Sequence, residues 1–181
     1  MNPISIDGPR LRFRELREDD VDALFAIYGS ELATEHLSFD PRSRDSVAGV
    51  IASGIVDTKA DPRSVYALAV TEKDSQDLIG YARLALEAHR AGQIGFALNP
   101  SVWGRGYGTE TVQMLLQLGF EQLGLHRIWG ARSPKNLASA SVMSRNGMME
   151  EARIRDHVFT HGAWRDSITH VILEDEWRRS E

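Results

Sequence analysis

The sequence of 181 residues contains no cysteine, so it has no disulfide framework, no thiolate nucleophile and no cysteine-ligated metal. It has no apolar run approaching the roughly 20 residues that cross a bilayer. The opening stretch "MNPISIDGPR" lacks the apolar segment of a signal peptide. A cytoplasmic location with no membrane partner is therefore the expectation. Lysine is scarce: 18 of the 21 basic residues are arginine, scattered without forming a basic patch. With a net charge of −5, nucleic acid is not an expected partner, and charge by itself leans weakly toward a cationic one.

What is present is an ordinary globular composition, 42% hydrophobic and 26% charged, long enough to bury a sizeable core. There is no internal repeat and no low-complexity segment, which suggests a single domain over 1–181 with its core from about 10 to 177. "RLRFREL" alternates Leu11, Phe13 and Leu16 with arginines and predicts a first strand. Asp19 or Asp20 would cap a helix carrying Val21, Leu24, Phe25 and Tyr28 at helical spacing. "SRDSVAGVIASGIVD" predicts a second helix. "SVYALAV", "LIGYARLAL" and "GQIGFAL" predict three strands, the last stopped by Asn99-Pro100. A helix is expected from Thr109 to Leu123, with Val112, Leu115, Leu116, Leu118 and Phe120 as its apolar stripe and Gly124 as its stop. "HRIWGAR" predicts a strand, and Asn136 would cap a helix to about Arg145. Two strands, about Met149 to Thr160 and Trp164 to Glu174, would turn at His161-Gly162. Antiparallel hairpins on both sides of helices indicate an α+β fold around a single sheet.

"WGRGYGTE", Trp103 to Glu110, holds three glycines, each of which loses more freedom on ordering than any other residue. Lying between a strand and a strong helix, the loop aims main-chain N–H groups toward a helix N-terminus, a ready site for an anion. It lacks the terminal Gly-Lys-Ser/Thr of a P-loop, and its G-x-G-x-G spacing is not the dinucleotide fingerprint. Taken alone, the stretch also reads as a plain turn. A second feature is Asn136 followed one turn later by Ser139, which by itself also fits an ordinary helix start.

Together these pieces resemble the GNAT superfamily of acetyl-CoA-dependent N-acetyltransferases, and more narrowly its Rim-type ribosomal-protein-alanine N-acetyltransferase branch. The resemblance runs from about Arg10 to Trp177. It rests on "RLRFREL", on "IGFALNPSVWGRGYGTE", on Asn136-x-x-Ser139 followed by "NGM", and on "HGAWRD" with "ILEDEW". It implies a mixed, mostly antiparallel sheet with splayed central strands and flanking helices. It also implies acetyl-CoA as cosubstrate and no metal. The loop Trp103, Gly104, Arg105, Gly106, Tyr107, Gly108 and Thr109 would wrap the coenzyme A pyrophosphate through main-chain amides, with Arg105 adding a phosphate contact. Trp103 stands where the family usually has Gln or Arg. Phe96, Ala97 and Leu98 would supply main-chain groups to the pantetheine arm, an N–H near Leu98 would polarise the thioester carbonyl, Asn136 would contact the pantetheine, and Ser139 would protonate the departing thiolate.

No general base is apparent; Glu35, Glu87, His36 and Tyr81 are candidates only in being polar. A lysine-type amine costs about 4–5 kcal/mol to deprotonate at pH 7, an α-amine only about 1 kcal/mol. Catalysis without a strong base therefore suits a peptide N-terminus better than a polyamine or an antibiotic. A non-catalytic acyl-CoA sensor of the same fold is the rival reading. Acceptor specificity should lie in the least recognisable segments, about His36 to Arg63 and Arg155 to Trp164. A homodimer is compatible with the resemblance.

Overall fold

A computed structural model of the chain describes residues 4–179. Eight strands form one sheet: β1 (Ser5–Asp7), β2 (Leu11–Glu15), β3 (Val65–Glu72), β4 (Gly80–Glu87), β5 (Ala91–Leu98), β6 (Arg127–Arg132), β7 (Met149–Thr160) and β8 (Ala163–Leu173). The spatial order is β1-β2-β3-β4-β5-β6-β8-β7, and every pairing is antiparallel except β5 with β6. The helices are α1 (Val21–Tyr28), α2 (Glu31–Thr34), α3 (Arg44–Asp57), α4 (Tyr107–Gln117), α5 (Leu137–Arg145) and α6 (Glu174–Arg179). No helix among the described residues is long and apolar enough to cross a membrane.

The strand residues alternate between two cores, one on each face of the sheet. Leu68, Leu84, Ile94 and Ile128 pack with Val112, Leu115 and Leu116 of α4 and Met143 of α5. Ala67, Ala69, Tyr81 and Ala97 point the other way, against Leu24 and Ile27 of α1 and Val47 and Ile51 of α3.

Several expectations need correction. Asp20 precedes α1 but makes no capping bond with its side chain. Its carboxylate instead takes a buried two-point contact from Arg14, at 2.8 and 2.7 Å. A buried guanidinium needs that charge more than a helix start needs one extra acceptor. Ile27 takes the buried position, whereas Phe25 is 36% exposed. The predicted helix from Thr109 begins two residues earlier and ends at Gln117, and Leu118–Gln122 continue it as a wider turn in which the Leu123 N–H reaches back to the Leu118 carbonyl. The last strand stops at Leu173, because the Glu176 carboxylate takes the Leu173 N–H and "EDEWRR" turns into α6. There Trp177 stacks on Phe120 at 5.9 Å. Strand β1 and the short α2 carry no sequence pattern strong enough to predict.

Candidate active site

The parallel pair β5 and β6 stays in register only from Ala91 to Ile94 on one strand and Arg127 to Gly130 on the other. Beyond Ile94 the strands part, and Gly95 to Leu98 have no strand neighbour on that side among the described residues. This is the expected splay. Ladder geometry tells which groups open into it. In an antiparallel pair, alternate residues exchange their main-chain bonds with the neighbour. The Asn99 N–H donates to the Ile79 carbonyl, so Ala97 also faces β4, opposite Tyr81. On the other side the His126 N–H donates to the Arg90 carbonyl, which sets Gly92, Ile94, Phe96 and Leu98 toward β6. The N–H groups of Phe96 and Leu98 therefore point into the wedge, and those of Ala97 do not. Ala97 is thus removed from the main-chain donors expected there.

The Leu98 carbonyl would also face the wedge, but it accepts the indole N–H of Trp103 at 2.9 Å. Trp103, which stands where the family usually has Gln or Arg, ties the loop to the end of β5.

The loop divides its glycines between two tasks. Gly104 and Gly106 sit at φ of +76° and +79°, a left-handed conformation that side chains resist. Gly108 does not. A Cβ there would meet Val142 Cγ2 of α5 at 3.2 Å, so Gly108 lets α4 and α5 approach each other. The Asn146 side chain strengthens that contact by donating to the Thr109 carbonyl at 3.1 Å. At the start of α4 the Glu110 N–H is the first to be paired, with the Gly106 carbonyl. The amides of Tyr107, Gly108 and Thr109 have no acceptor among the described residues, and they carry the positive end of the helix dipole.

Arg10 orients this loop, a role with no sequence signal beyond its place at the start of "RLRFREL". Its Nη1 donates to the Arg105 carbonyl at 2.8 Å, and its Nε to Glu110 Oε2 at 2.9 Å. A trans peptide points its N–H opposite its carbonyl. Holding the Arg105 carbonyl therefore turns the Gly106 N–H away from Arg10. Glu110 is buried yet satisfied, because its Oε1 also accepts the Arg10 and Leu11 main-chain N–H groups at 2.7 and 2.8 Å. Arg105 pairs with Glu72 at 3.7 Å, and the Tyr107 hydroxyl donates to the same carboxylate at 2.7 Å. That hydrogen bond to Glu72 holds the Tyr107 pKa above the usual phenol value.

Asn136 is the predicted N-cap: its Oδ1 accepts the Ser139 N–H at 2.9 Å. Its Nδ2 remains to meet a ligand. The preceding turn is held by buried Arg132, whose Nη1 donates to the Ser133 and Pro134 carbonyls at 3.2 Å each. Arg132 Nε donates to His170 Nε2 at 3.0 Å, and Nη2 to Glu150 at 3.2 Å. Burial pushes the His170 pKa down, which keeps the ring neutral and able to accept that bond.

The base candidates are scattered. The Glu87 carboxylate accepts the Trp129 indole N–H at 2.9 Å. Glu35 is exposed at the end of α2. Burial pushes the Tyr81 hydroxyl above its usual pKa, away from serving as a base. The two segments expected to hold acceptor specificity do meet. Asp40 accepts the Thr160 hydroxyl and the His161 N–H at 2.6 Å each. Arg165 donates to the His36 and Leu37 carbonyls at 3.0 and 3.3 Å. The loop after α2 is thereby fastened to the β7–β8 hairpin.

Comparison with known proteins points the same way. Residues 10–149 match the family model described as an acetyltransferase (GNAT) domain. An uncharacterised N-acetyltransferase of Bacillus subtilis, YnaD, is 35% identical over 85 residues, which are 47% of this chain and 50% of the relative. The chain thus aligns with about half the length of that relative. Among solved structures, RimL, a ribosomal-protein α-N-acetyltransferase in complex with coenzyme A, superposes with a TM-score of 0.82 at 19% identity, covering 96% of this chain and 99% of its own. A spermidine N-acetyltransferase from Vibrio cholerae, in complex with coenzyme A and spermine, gives 0.82 at 20% identity, covering 94% and 99%. At such identities the likeness of these two is one of fold.

Proposed function

The chain belongs to the GNAT acetyltransferase family, and on that premise we propose that it transfers acetyl from acetyl-CoA directly to a primary amine, preferentially a peptide N-terminal α-amine. The observation that carries this reading is the pair of unpartnered main-chain donor sets. One lies in the wedge at Phe96 and Leu98, the other at the start of α4, joined by a single strand, loop and helix. Such spacing suits an extended ligand with an amide-bearing arm at one end and a pyrophosphate at the other.

Acetyl-CoA, when bound, supplies an activated thioester. The Phe96 main chain pairs with the pantetheine amides, and the α4 amides and Gly106 N–H hold the pyrophosphate. The Leu98 N–H donates to the thioester oxygen as negative charge develops there. The amine nitrogen bonds to the carbonyl carbon, the C–S bond breaks, and the Ser139 hydroxyl gives its proton to the departing sulfur. The proton lost by the amine leaves to water, and water returns one to the Ser139 oxygen, which restores the hydroxyl for the next turnover. No candidate carboxylate is both free and buried enough to strip an alkylammonium, which is why the α-amine is preferred.

Purified protein incubated with acetyl-CoA and a panel of peptides, polyamines and aminoglycosides, read by intact mass, tests the activity. The expected product is a peptide acetylated at its α-amine, with kcat/KM climbing with pH and levelling near 8, about the α-amine pKa. Coenzyme A binding without acetylation of any amine would instead indicate a sensor.

A further inference from the structure

The face of the sheet opposite α4 and α5 carries a charge pattern that the whole-chain value of −5 conceals. Gly95 lies on a central strand yet is exposed, and nothing stands within 4 Å of the position its Cβ would take. It faces the side opposite α4 and α5, so the sheet is left uncovered there, one residue before Phe96 turns its N–H into the wedge. Arg83 is the β4 residue directly opposite Gly95, and its side chain leaves the same face. Two residues along, Tyr81 packs edge-on against Tyr28 at 5.6 Å. The Arg42 guanidinium lies over that Tyr28 ring at 5.6 Å and over Phe39 at 4.1 Å. From β8, Arg165 rises on this face and reaches the His36 and Leu37 carbonyls.

Arg42, Arg83 and Arg165 have no carboxylate partner among the described residues, unlike Arg14, Arg63 or Arg132. Arg165 Nε is buried without an acceptor among the described residues. Asp40 is engaged by Thr160 and His161 and Glu87 by Trp129, so neither pairs with these arginines. Guanidinium groups beside low-dielectric aromatic walls favour an anion, and their planar forks match a carboxylate.

Resting on the acetyltransferase reading above, we propose that the acceptor is an α-amine bearing a carboxylate on its first or second residue, recognised by Arg83 and Arg42 with Arg165 at the far wall. Peptides that begin with Asp or Glu, or that carry one at the second residue, belong to this class. Spermidine, whose second and third ammonium groups would face the three arginines, does not. The net acidity of the chain steers encounter at long range, but the local cations decide what fits.

The test uses matched acceptors with acetyl-CoA: Asp-Ala amide against Asn-Ala amide, Ala-Asp amide against Ala-Asn amide, and spermidine. At least one carboxylate member should exceed its neutral partner in kcat/KM by roughly 10-fold or more, the range of a charge-assisted hydrogen bond. That preference should fall to about 2-fold or less in Arg83→Gln and Arg42→Gln, and be partly kept in Arg83→Lys, while the KM for acetyl-CoA stays unchanged. Equal or better turnover of the neutral amides or of spermidine would overturn the inference and leave the acetyltransferase reading standing. So would a preference that survives both substitutions. No acetylation of any acceptor would overturn both.

Discussion

The indole N–H of Trp103 donates to the main-chain carbonyl of Leu98 at 2.9 Å. The two residues flank the Asn99-Pro100 turn, so this bond closes a short circuit between the end of β5 and the beginning of the glycine loop. It removes one acceptor from the wedge and leaves the N–H as the polar group that Leu98 presents there, beside that of Phe96. An exposed aromatic, 48% accessible, would otherwise have no evident reason to be there.

Trp103→Phe keeps the ring and loses only the donor. Acetyl-CoA affinity should fall by roughly 2- to 10-fold, the worth of one net hydrogen bond, with little change in thermal stability. Calorimetry on the variant measures it. Unchanged affinity would show that the bond does not position the loop.

Gly106→Val forces a β-branched residue to φ near +79°, with its Cβ 3.4 Å from Arg10 Nη2. Strain of about 1–3 kcal/mol should displace the loop and weaken acetyl-CoA binding by about 10-fold or more. Far-ultraviolet circular dichroism should remain native, since the glycine is exposed and outside both cores.

Ser139→Ala should lower kcat by about 100-fold if the hydroxyl protonates the leaving sulfur, with the KM for acetyl-CoA nearly unchanged. Steady-state kinetics separates the two parameters. The helix itself should persist, because the cap uses the Ser139 main chain and not its hydroxyl.

Stability should depend on His170 in acid. Burial depresses its folded pKa below the unfolded value near 6.5, so the unfolded chain takes up the proton first. Stability from this group is complete above about pH 6.5 and is lost as pH falls toward the folded pKa. His170→Gln preserves an acceptor for Arg132 without the titration. Urea unfolding from pH 7.5 to 5.0 should fall less steeply in the variant, by up to about 1.4 kcal/mol per pH unit within that window. Parallel curves would exclude the linkage.

Much of this molecule could be read without coordinates. Strand alternation, the stripe on α4, the Asn136 cap and the loop glycines are local, because side-chain period and backbone dihedrals depend on residues a few positions apart. The order of these pieces was enough to indicate the family. What tertiary structure decided are the long-range pairings. Arg10 meets Glu110 and Arg105, Arg14 takes Asp20 away from its helix, Gly108 makes room for Val142, and Arg132 finds His170 beneath α5. Charge and polarity in a sequence state only that a partner is needed. Which group supplies it depends on how the sheet aligns strands that lie tens of residues apart. The alternation of N–H groups at Phe96 and Leu98, and the exclusion of Ala97, likewise follow from the register with β4, which no single strand contains.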